Sequence, residues 1–294
     1  MRPVIPTDPE RGVARALLAC ACLPLLVTGA LLLVLLLETA DLLRGVPPLE
    51  LLLGAPWPPA GGGRPGLLPL VAGTLLVALA ALAVALPAGL LSAVYLSEYA
   101  PAAVRRALAP LLALLAAVPT VVYGYFALRF VTPLLQGFVP GLADANALSP
   151  GIVAGVMILP MVTALAVDAL QGVPRGLREA ARALGATRAQ AVLRVVLPAA
   201  GAGIAAAVFL AAARAVGETM IVAIAAGGQP RLTANPLAPV ETLAAYIVHA
   251  ARGAPPGDLD QQAIFAVGLL LFAGTFGLNL IGNWLRRRGG EAPG

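Results

Sequence analysis

The sequence predicts an all-α integral membrane protein with six transmembrane helices, and two observations support this fold class. Of the 294 residues, 60% are hydrophobic and only 11% are charged, whereas a soluble domain carries about a quarter charged residues. Six apolar runs also reach the length of about 20 residues that a helix needs to cross a bilayer. These runs cover roughly residues 15–37, 68–94, 108–133, 150–170, 199–226 and 262–285.

The segments between the runs are too polar or too irregular to lie in lipid. Residues 44–66 are rich in Pro and Gly and predict an irregular loop, as do residues 134–149 and 227–261. Within the last of these, residues 239–251 fit a short amphipathic helix at the surface. Membrane helices tolerate prolines because neighbouring groups re-satisfy the freed carbonyls. The candidate kink positions in the spans are Pro87, Pro119 and Pro160.

Arginines are concentrated in alternate connections, and this bias predicts the orientation of the chain. They are most frequent in the N-terminal tail, the second-to-third and fourth-to-fifth connections, and the C-terminal tail. Because cytoplasmic loops carry the excess of basic residues, we expect both termini in the cytoplasm. The predicted parts are a cytoplasmic tail (1–14), a first transmembrane helix with its periplasmic loop (15–66), a five-helix core that includes a cytoplasmic loop at 171–198 (67–288), and a C-terminal tail (289–294).

The composition also excludes several classes of protein. The chain has 19 arginines and no lysine, and a P-loop needs its Lys, so we do not expect this chain to hydrolyse a nucleotide in that way. The spans lack the Gly-x-Ser-x-Gly motif and the paired Glu or His residues of an intramembrane enzyme. The single His249 falls in a predicted loop, where we expect it to be exposed. Cys20 and Cys22 are predicted to be small apolar packing residues.

Residues 179–198, EAARALGATRAQAVLRVVLP, predict two short helices between the fourth and fifth spans. Gly185 is placed to end the first helix, because Gly adopts the left-handed cap conformation at little cost. Thr187 then begins the second helix, with Gln190 in capping-box spacing. Pro198 suits the first turn of the fifth span. By pattern alone, the segment also fits a positively charged anchor that happens to be helical.

The spacing in this segment resembles the EAA signature of ABC importer permeases, written EAA-x3-G-x9-I-x-L-P. The matching positions, with Val195 in place of Ile, are Glu179, Ala180, Ala181, Gly185, Leu197 and Pro198. In that family the segment is a coupling helix that lies in a groove of the ATPase subunit. The resemblance implies the ABC importer type I (MetI-like) permease fold, with residues 171–198 as the EAA loop. It also implies that Glu179, Ala181 and Gly185 contact the ATPase.

Two charged residues, Arg214 and Glu218, lie about halfway along the fifth span, and the pattern predicts them to be the only clearly intramembrane charges. They are four residues apart and are expected to share one helix face. Each costs about 2.5–3.5 kcal/mol at the bilayer centre, so each must face protein or water. One interpretation is a structural ion pair between helices. The other is a substrate pathway, in which Arg214 meets an anion through its planar fork while Glu218 holds or releases it.

The motif Arg-Ala-x-Gly-Glu around this pair resembles that of oxyanion importers. Sulfate and molybdate permeases usually follow the Glu with an aromatic residue and Gly, whereas Gly-Glu-Thr is the phosphate pattern, so Thr219 joins the expected substrate pathway. Most of the chain from about residue 70 is similar to phosphate permeases of the PstC type, within the CysTW family of binding-protein-dependent inner-membrane components. The stretches that support this are YLSEYAP (95–101), VPTVVYGYF (118–126), NPLAPVETLAAYIV (235–248) and IFAVGLLLFAGTFGLN (264–279).

The resemblance implies a permease subunit of an ATP-driven importer that carries inorganic phosphate across the cytoplasmic membrane. The implied partners are a PstA-type permease subunit, a PstB-type ATPase dimer and a PstS-type periplasmic or extracellular phosphate-binding protein. ATP would be bound by the ATPase, so no cofactor and no metal are expected in this chain, and the chain itself is not expected to be an enzyme. We expect membrane lipid around the spans and no nucleic-acid partner.

Two alternatives to this function stay open at the level of sequence. The chain fits a PstA-type sister subunit or a permease for another oxyanion such as sulfate or molybdate, although the N-P-L-x-P-V-E-T loop favours PstC. A secondary transporter that uses Arg214 and Glu218 as a proton relay would leave the gapped EAA match unexplained.

Overall fold

The computed structural model describes residues 8–53, 66–253 and 259–290, and within these ranges the chain is almost entirely helical, without a β-strand. Parts of the predicted tails and of the predicted loops at 44–66 and 227–261 lie outside the described residues. The helices are α1 (Asp8–Gly45), α2 (Pro48–Leu53), α3 (Leu68–Val94), α4 (Ala102–Ala117), α5 (Thr120–Phe126), α6 (Thr132–Gln136), α7 (Leu148–Gln171), α8 (Arg175–Ala183), α9 (Arg188–Ala191), α10 (Leu197–Ala199), α11 (Gly201–Val216), α12 (Met220–Ala225), α13 (Leu243–Gly253) and α14 (Leu259–Gly290).

Short π-helical stretches continue three of these helices. The first follows α3 and covers Tyr95–Tyr99, and it is called the Glu98 turn below. The second, Ala127–Val131, joins α5 to α6, and the third, Val192–Val196, joins α9 to α10. Stretches of this kind are rare and occur frequently at functional sites.

The all-α membrane fold is confirmed, with between four and six candidate spans among the described residues. In the described part of the chain, four helices are long and apolar enough to cross a bilayer, within α1, α3, α7 and α14. Two further pairs of helices pass the same criterion together, and counting each bent pair as one span gives up to six. Both α3 and α7 continue through the prolines at 87 and 160 without ending.

The predicted third and fifth spans are not single straight helices. The third consists of α4 and α5–α6, which meet at 84°. Val118 and Pro119 are extended at the junction, with ψ values of 129° and 136°. For Val118 this follows from its position before a proline, which drives a residue away from the helical region. The fifth bends by 68° between α10 and α11, and α11 then ends at Val216, before α12 begins.

The centre of the fold is the packing of α3 against α7, with α11 against α7 and α14 against α11. A Cβ added to Gly155 of α7 would lie 2.6 Å from the carbonyl oxygen of Ala81, and one added to Gly89 of α3 would lie 2.7 Å from a Val162 methyl carbon. Small residues at these positions let the two backbones approach closely, which is how helices associate where lipid removes the hydrophobic driving force.

The segment over residues 239–251 is helical from Leu243 onward, and it lies at the surface only in its later part, since its first turn is buried and residues 251–253 are exposed. Helix α13 begins at Leu243, and its first four residues, Leu243 to Tyr246, are buried. The Thr74 hydroxyl of α3 accepts a hydrogen bond from the Leu243 N–H at 2.9 Å and donates one to the Leu70 carbonyl at 2.7 Å. This cap from a neighbouring helix, together with packing on α14, holds α13 inside the fold.

We predict that Gly155→Ala lowers the thermal stability of the detergent-solubilised protein, because the added methyl group overlaps the Ala81 carbonyl. Overpacking of this kind costs about 1–3 kcal/mol, which a melting curve resolves as a lower Tm. Gly29→Ala in α1 is the matched control, since a Cβ there meets nothing within 4 Å. Equal Tm values for the two variants would contradict the close contact between α3 and α7.

Candidate functional site

The EAA loop folds into the two helices that its sequence predicts, joined at Gly185. Gly185 has φ +83°, the Ala186 N–H donates to the Ala181 carbonyl at 3.1 Å, and the Gly185 N–H donates to the Arg182 carbonyl at 2.9 Å. These two bonds form a Schellman motif, which satisfies the last carbonyls of α8. The predicted capping box of α9 is also present, formed by Thr187 and Gln190.

The residues of the EAA signature differ in how far they reach the surface. Glu179, Ala180, Gly185 and Pro198 are exposed, and Leu197 is partly buried. Ala181 is 8% exposed and faces the underside of α8, where its small side chain lets the helix lie close to the rest of the loop. Leu184, which the signature does not include, is 90% exposed. The spacing of the signature did not single out this exposed apolar side chain at the end of α8.

A cavity of about 520 Å³ lies where the EAA loop meets the ends of the membrane helices, and it is rich in arginine. Its walls carry five arginines and two carboxylates, together with Ser97 and Gln171: Arg105, Arg175, Arg178, Arg182, Arg188, Glu98 and Glu179. Glu98 is 8% exposed, and its Oε1 accepts a hydrogen bond from Arg178 Nη2 at 3.0 Å. Sequence reasoning missed this contact, because the two residues are 80 positions apart.

The intramembrane pair of Arg214 and Glu218 forms, but not on one continuous helix face as predicted. Helix α11 ends at Val216, and Glu218 lies in the link to α12. Arg214 Nη1 nevertheless contacts Glu218 Oε2 at 2.7 Å, and Glu218 Oε1 accepts a hydrogen bond from the Ile221 N–H of α12 at 3.4 Å. The carboxylate therefore bonds to both sides of the helix break.

The two members of this pair have very different environments. The side chain of Glu218 is 3% exposed, whereas that of Arg214 is 41% exposed. Arg214 Nη2 lies 3.7 Å from the Met157 sulfur of α7, which is a weak acceptor. Part of the guanidinium therefore remains available to an anion. Thr219, by contrast, directs its hydroxyl to the Gly217 carbonyl at 3.2 Å.

The prediction that Arg214 and Glu218 are the only intramembrane charges was wrong. Arg129 lies in the candidate span of α5 and α6, and its side chain is exposed. Its guanidinium carbon lies 5.8 Å from the centroid of the Tyr125 ring, and within the described ranges it forms no ion pair. Arg129 falls inside the predicted span at 108–133, and the prediction from sequence did not count it as an intramembrane charge.

A third carboxylate is buried near the start of α13, at the opposite end of α3 from the EAA loop. Glu241 Oε1 lies 2.9 Å from His249 Nδ1, and the Glu241 side chain is 6% exposed. His249 is therefore in a helix and paired, rather than free in a loop as predicted. Burial raises the pKa of Glu241, and the hydrogen bond and charge of His249 oppose that rise.

Comparison with known proteins identifies the family. A model of the binding-protein-dependent transport system inner membrane component matches residues 85–289. The chain belongs to this family. It is therefore a multi-pass membrane component of an ABC transport system, and such systems in general also include an ATPase and a binding protein.

Individual relatives of this permease cover most of its length. The probable ABC transporter permease protein YqgH of Bacillus subtilis is 33% identical over 84% of this chain and 80% of the relative. The phosphate transport system permease protein PstC of Mesorhizobium japonicum is 33% identical over 76% of this chain and 74% of its own. The PstC protein of Haemophilus influenzae is 31% identical over 76% of each chain.

A solved structure supports the fold of the permease. An inward-facing MetNI methionine ABC transporter superposes with a TM-score of 0.55 at 20% identity, over 75% of this chain and 93% of the solved chain. The MetI-like fold inferred from the EAA signature is thereby confirmed.

We predict that Gly185→Val loosens the turn between α8 and α9, because a branched residue is strained at positive φ, at a cost of about 1–2 kcal/mol. The amide hydrogens of Gly185 and Ala186, which close the Schellman motif, should exchange about 5–30 times faster. Gly185→Asn should have a smaller effect, since Asn tolerates this conformation. Gly176→Val, at an open position in α8, is the control, and equal exchange in the two valine variants would contradict the prediction.

We predict that stability changes with pH through Glu241. Because its folded pKa is raised, the stabilising contribution of the bound proton is complete below the ordinary value of 4.5 and is lost as the pH rises through the folded value. Glu241→Gln stays neutral, so the Tm of wild type should fall relative to this variant as the pH is raised above that ordinary value. Asp168→Asn removes an exposed carboxylate and serves as the control. Parallel Tm profiles for wild type and Glu241→Gln would contradict the assignment.

Proposed function

We propose that this chain is the PstC-type permease subunit of an ATP-driven phosphate importer in the cytoplasmic membrane. The observation that carries the proposal is the partial exposure of the Arg214 guanidinium, which a buried carboxylate holds in place within a candidate span. The names of the relatives add weight, since several are phosphate transport permeases. The substrate is expected to be an anion, because the accessible group at the helix break, the Arg214 guanidinium, is cationic.

The geometry at Arg214 suits transient binding of an oxyanion. Glu218 orients one edge of the guanidinium at 2.7 Å and leaves the remaining N–H donors to bind phosphate oxygens, which planar guanidinium groups match well. Because Glu218 also offsets the charge, phosphate binds more weakly than it would to a free arginine. A transport site needs this compromise, since the anion must enter and also leave.

We assign each proposed partner to a different surface of the molecule. The exposed Glu179 and Leu184 of the EAA loop would contact a PstB-type ATPase dimer, which binds ATP, so this chain needs no cofactor. A stripe of exposed apolar side chains on α5 and its π-helical continuation would contact the PstA-type permease: Val121, Val122, Tyr125, Phe126 and Phe130. The PstS-type binding protein would dock on the side of α13, with both chain termini on the ATPase side.

Purified complex in proteoliposomes provides the direct test of this function. Phosphate-loaded binding protein should stimulate ATP hydrolysis and drive uptake of labelled phosphate, whereas sulfate and molybdate should not. Stimulation by one of those two anions would instead support the other oxyanion permeases. Phosphate uptake that persists without the ATPase subunit would support a secondary transporter.

We predict that Arg214→Gln abolishes phosphate uptake while the complex still assembles, because the neutral amide cannot replace the charged donors. The measurement is uptake of labelled phosphate, normalised to the amount of complex purified through a tag on the ATPase. Arg106→Gln, which removes an exposed arginine whose Nε donates to the Ala102 carbonyl, is the matched control. Normal uptake by the Arg214 variant would exclude a role in the substrate pathway.

A further inference from the structure

The side chain of Arg178 joins the EAA loop to the ends of two membrane helices. From α8, its Nη2 donates to Glu98 Oε1 at 3.0 Å and to the Leu170 carbonyl at 2.6 Å, and its Nη1 donates to the Val173 carbonyl at 2.6 Å. Glu98 belongs to the turn that continues α3, and Leu170 belongs to the last turn of α7. One guanidinium therefore holds α8, α3 and α7 at a common point.

The second half of the EAA loop contacts the same turn. Arg188, the first residue of α9, donates to the backbone carbonyl of Glu98, and its guanidinium carbon lies 5.0 Å from the centroid of the Tyr99 ring. The Glu98 turn thus receives an arginine from each of the two short helices. These contacts do not involve the exposed residues of the EAA signature, which remain available to a partner.

The contact between Arg178 and Glu98 is largely shielded from solvent. The side chains are 16% and 8% exposed. The two carbonyl groups that Arg178 also binds lie in the last turn of α7 and just beyond it, and that of Leu170 accepts a second hydrogen bond from the Val173 N–H at 3.3 Å. Separating α8 from the Glu98 turn would leave the buried Glu98 carboxylate without its charged partner and would remove the Arg178 donors from both carbonyls, which is unfavourable. A displacement of α8 is therefore expected to move the ends of α3 and α7 with it.

Both of these helices lead from the EAA loop to the proposed substrate site. Helix α3 packs against α7 through the close contacts at Gly89 and Gly155. Helix α7 extends from Leu170, at the Arg178 contact, to Met157, whose sulfur lies 3.7 Å from the Arg214 guanidinium. At 1.5 Å per residue, this distance is about 20 Å. A continuous helix thus connects the two charged sites.

We propose that the Glu98–Arg178 ion pair is the positioning contact through which movement of α8 by the ATPase is passed to α3 and α7. The proposal rests on the proposed function as an ATP-driven importer. Neither residue touches the substrate. Their role is to couple hydrolysis to transport, so breaking the pair should separate these two activities instead of abolishing either alone.

The test is the amount of phosphate taken up per ATP hydrolysed by the complete complex in proteoliposomes. For Glu98→Gln and for Arg178→Gln, this ratio should fall at least about fivefold, while binding-protein docking and the yield of complex are retained. The double variant, which leaves no unpaired buried charge, should show the same fall as each single variant. Arg178→Lys keeps a positive charge opposite Glu98 and should give an intermediate ratio.

Asp168→Asn and Arg106→Gln change exposed residues of the same charge types and should keep the wild-type ratio. A wild-type ratio in the double variant would overturn the inference, as would losses of uptake that only follow the yield of complex. Wild-type complex that couples no phosphate uptake to ATP hydrolysis would contradict the proposed function instead, so the two failures are distinguishable.

Discussion

Close packing between α3 and α7 is the constraint on which the rest of the fold depends. In a bilayer, apolar helices gain little from contact with one another compared with contact with lipid, so position is set by how closely backbones can approach. The glycines at 89, 151 and 155 leave no room for a side chain between these helices. With α3 and α7 held in one arrangement, α11 packs on α7 and places Arg214 against Met157.

Two ion pairs depend on this arrangement, and they have different physical roles. In the pair of Arg178 and Glu98 the side chains are only 16% and 8% exposed, and Arg178 also donates to two backbone carbonyls. The pair of Arg214 and Glu218 is buried only on the carboxylate side. A largely buried pair favours a single geometry, because either partner alone is costly, whereas a half-exposed arginine can exchange partners. The contrast fits a structural contact at one end of α7 and a ligand-binding contact near its middle.

Sequence patterns predicted the parts of the fold that depend on neighbouring residues. Apolar runs predicted the spans, and the spacing of Gly185, Thr187 and Gln190 predicted both the turn and the capping box of the EAA loop. Pro119 was among the predicted kink positions, and the chain bends by 84° beside it. Hydropathy could not reveal the end of α11 at Val216, because the segment stays apolar on each side of the break. The same limit applies to the candidate site. The pair of Arg214 and Glu218 was predicted because the two residues are close in sequence, whereas the pair of Glu98 and Arg178 was missed because they meet only through the tertiary fold.

The Thr74 cap on α13 gives α3 a polar attachment at each end. At one end the Thr74 hydroxyl bonds to the start of α13, and an added Cβ at Gly73 would overlap the Glu241 carbonyl; at the other end the Glu98 turn bonds to the EAA loop. Because α3 is attached at both ends, a displacement at either end is expected to reach the other. Coupling free energy is reciprocal. The free energy with which a position of α8 favours one conformation of the α13 region therefore equals the free energy with which that conformation favours the same position of α8. The same helix would then report events at α13 to the EAA loop.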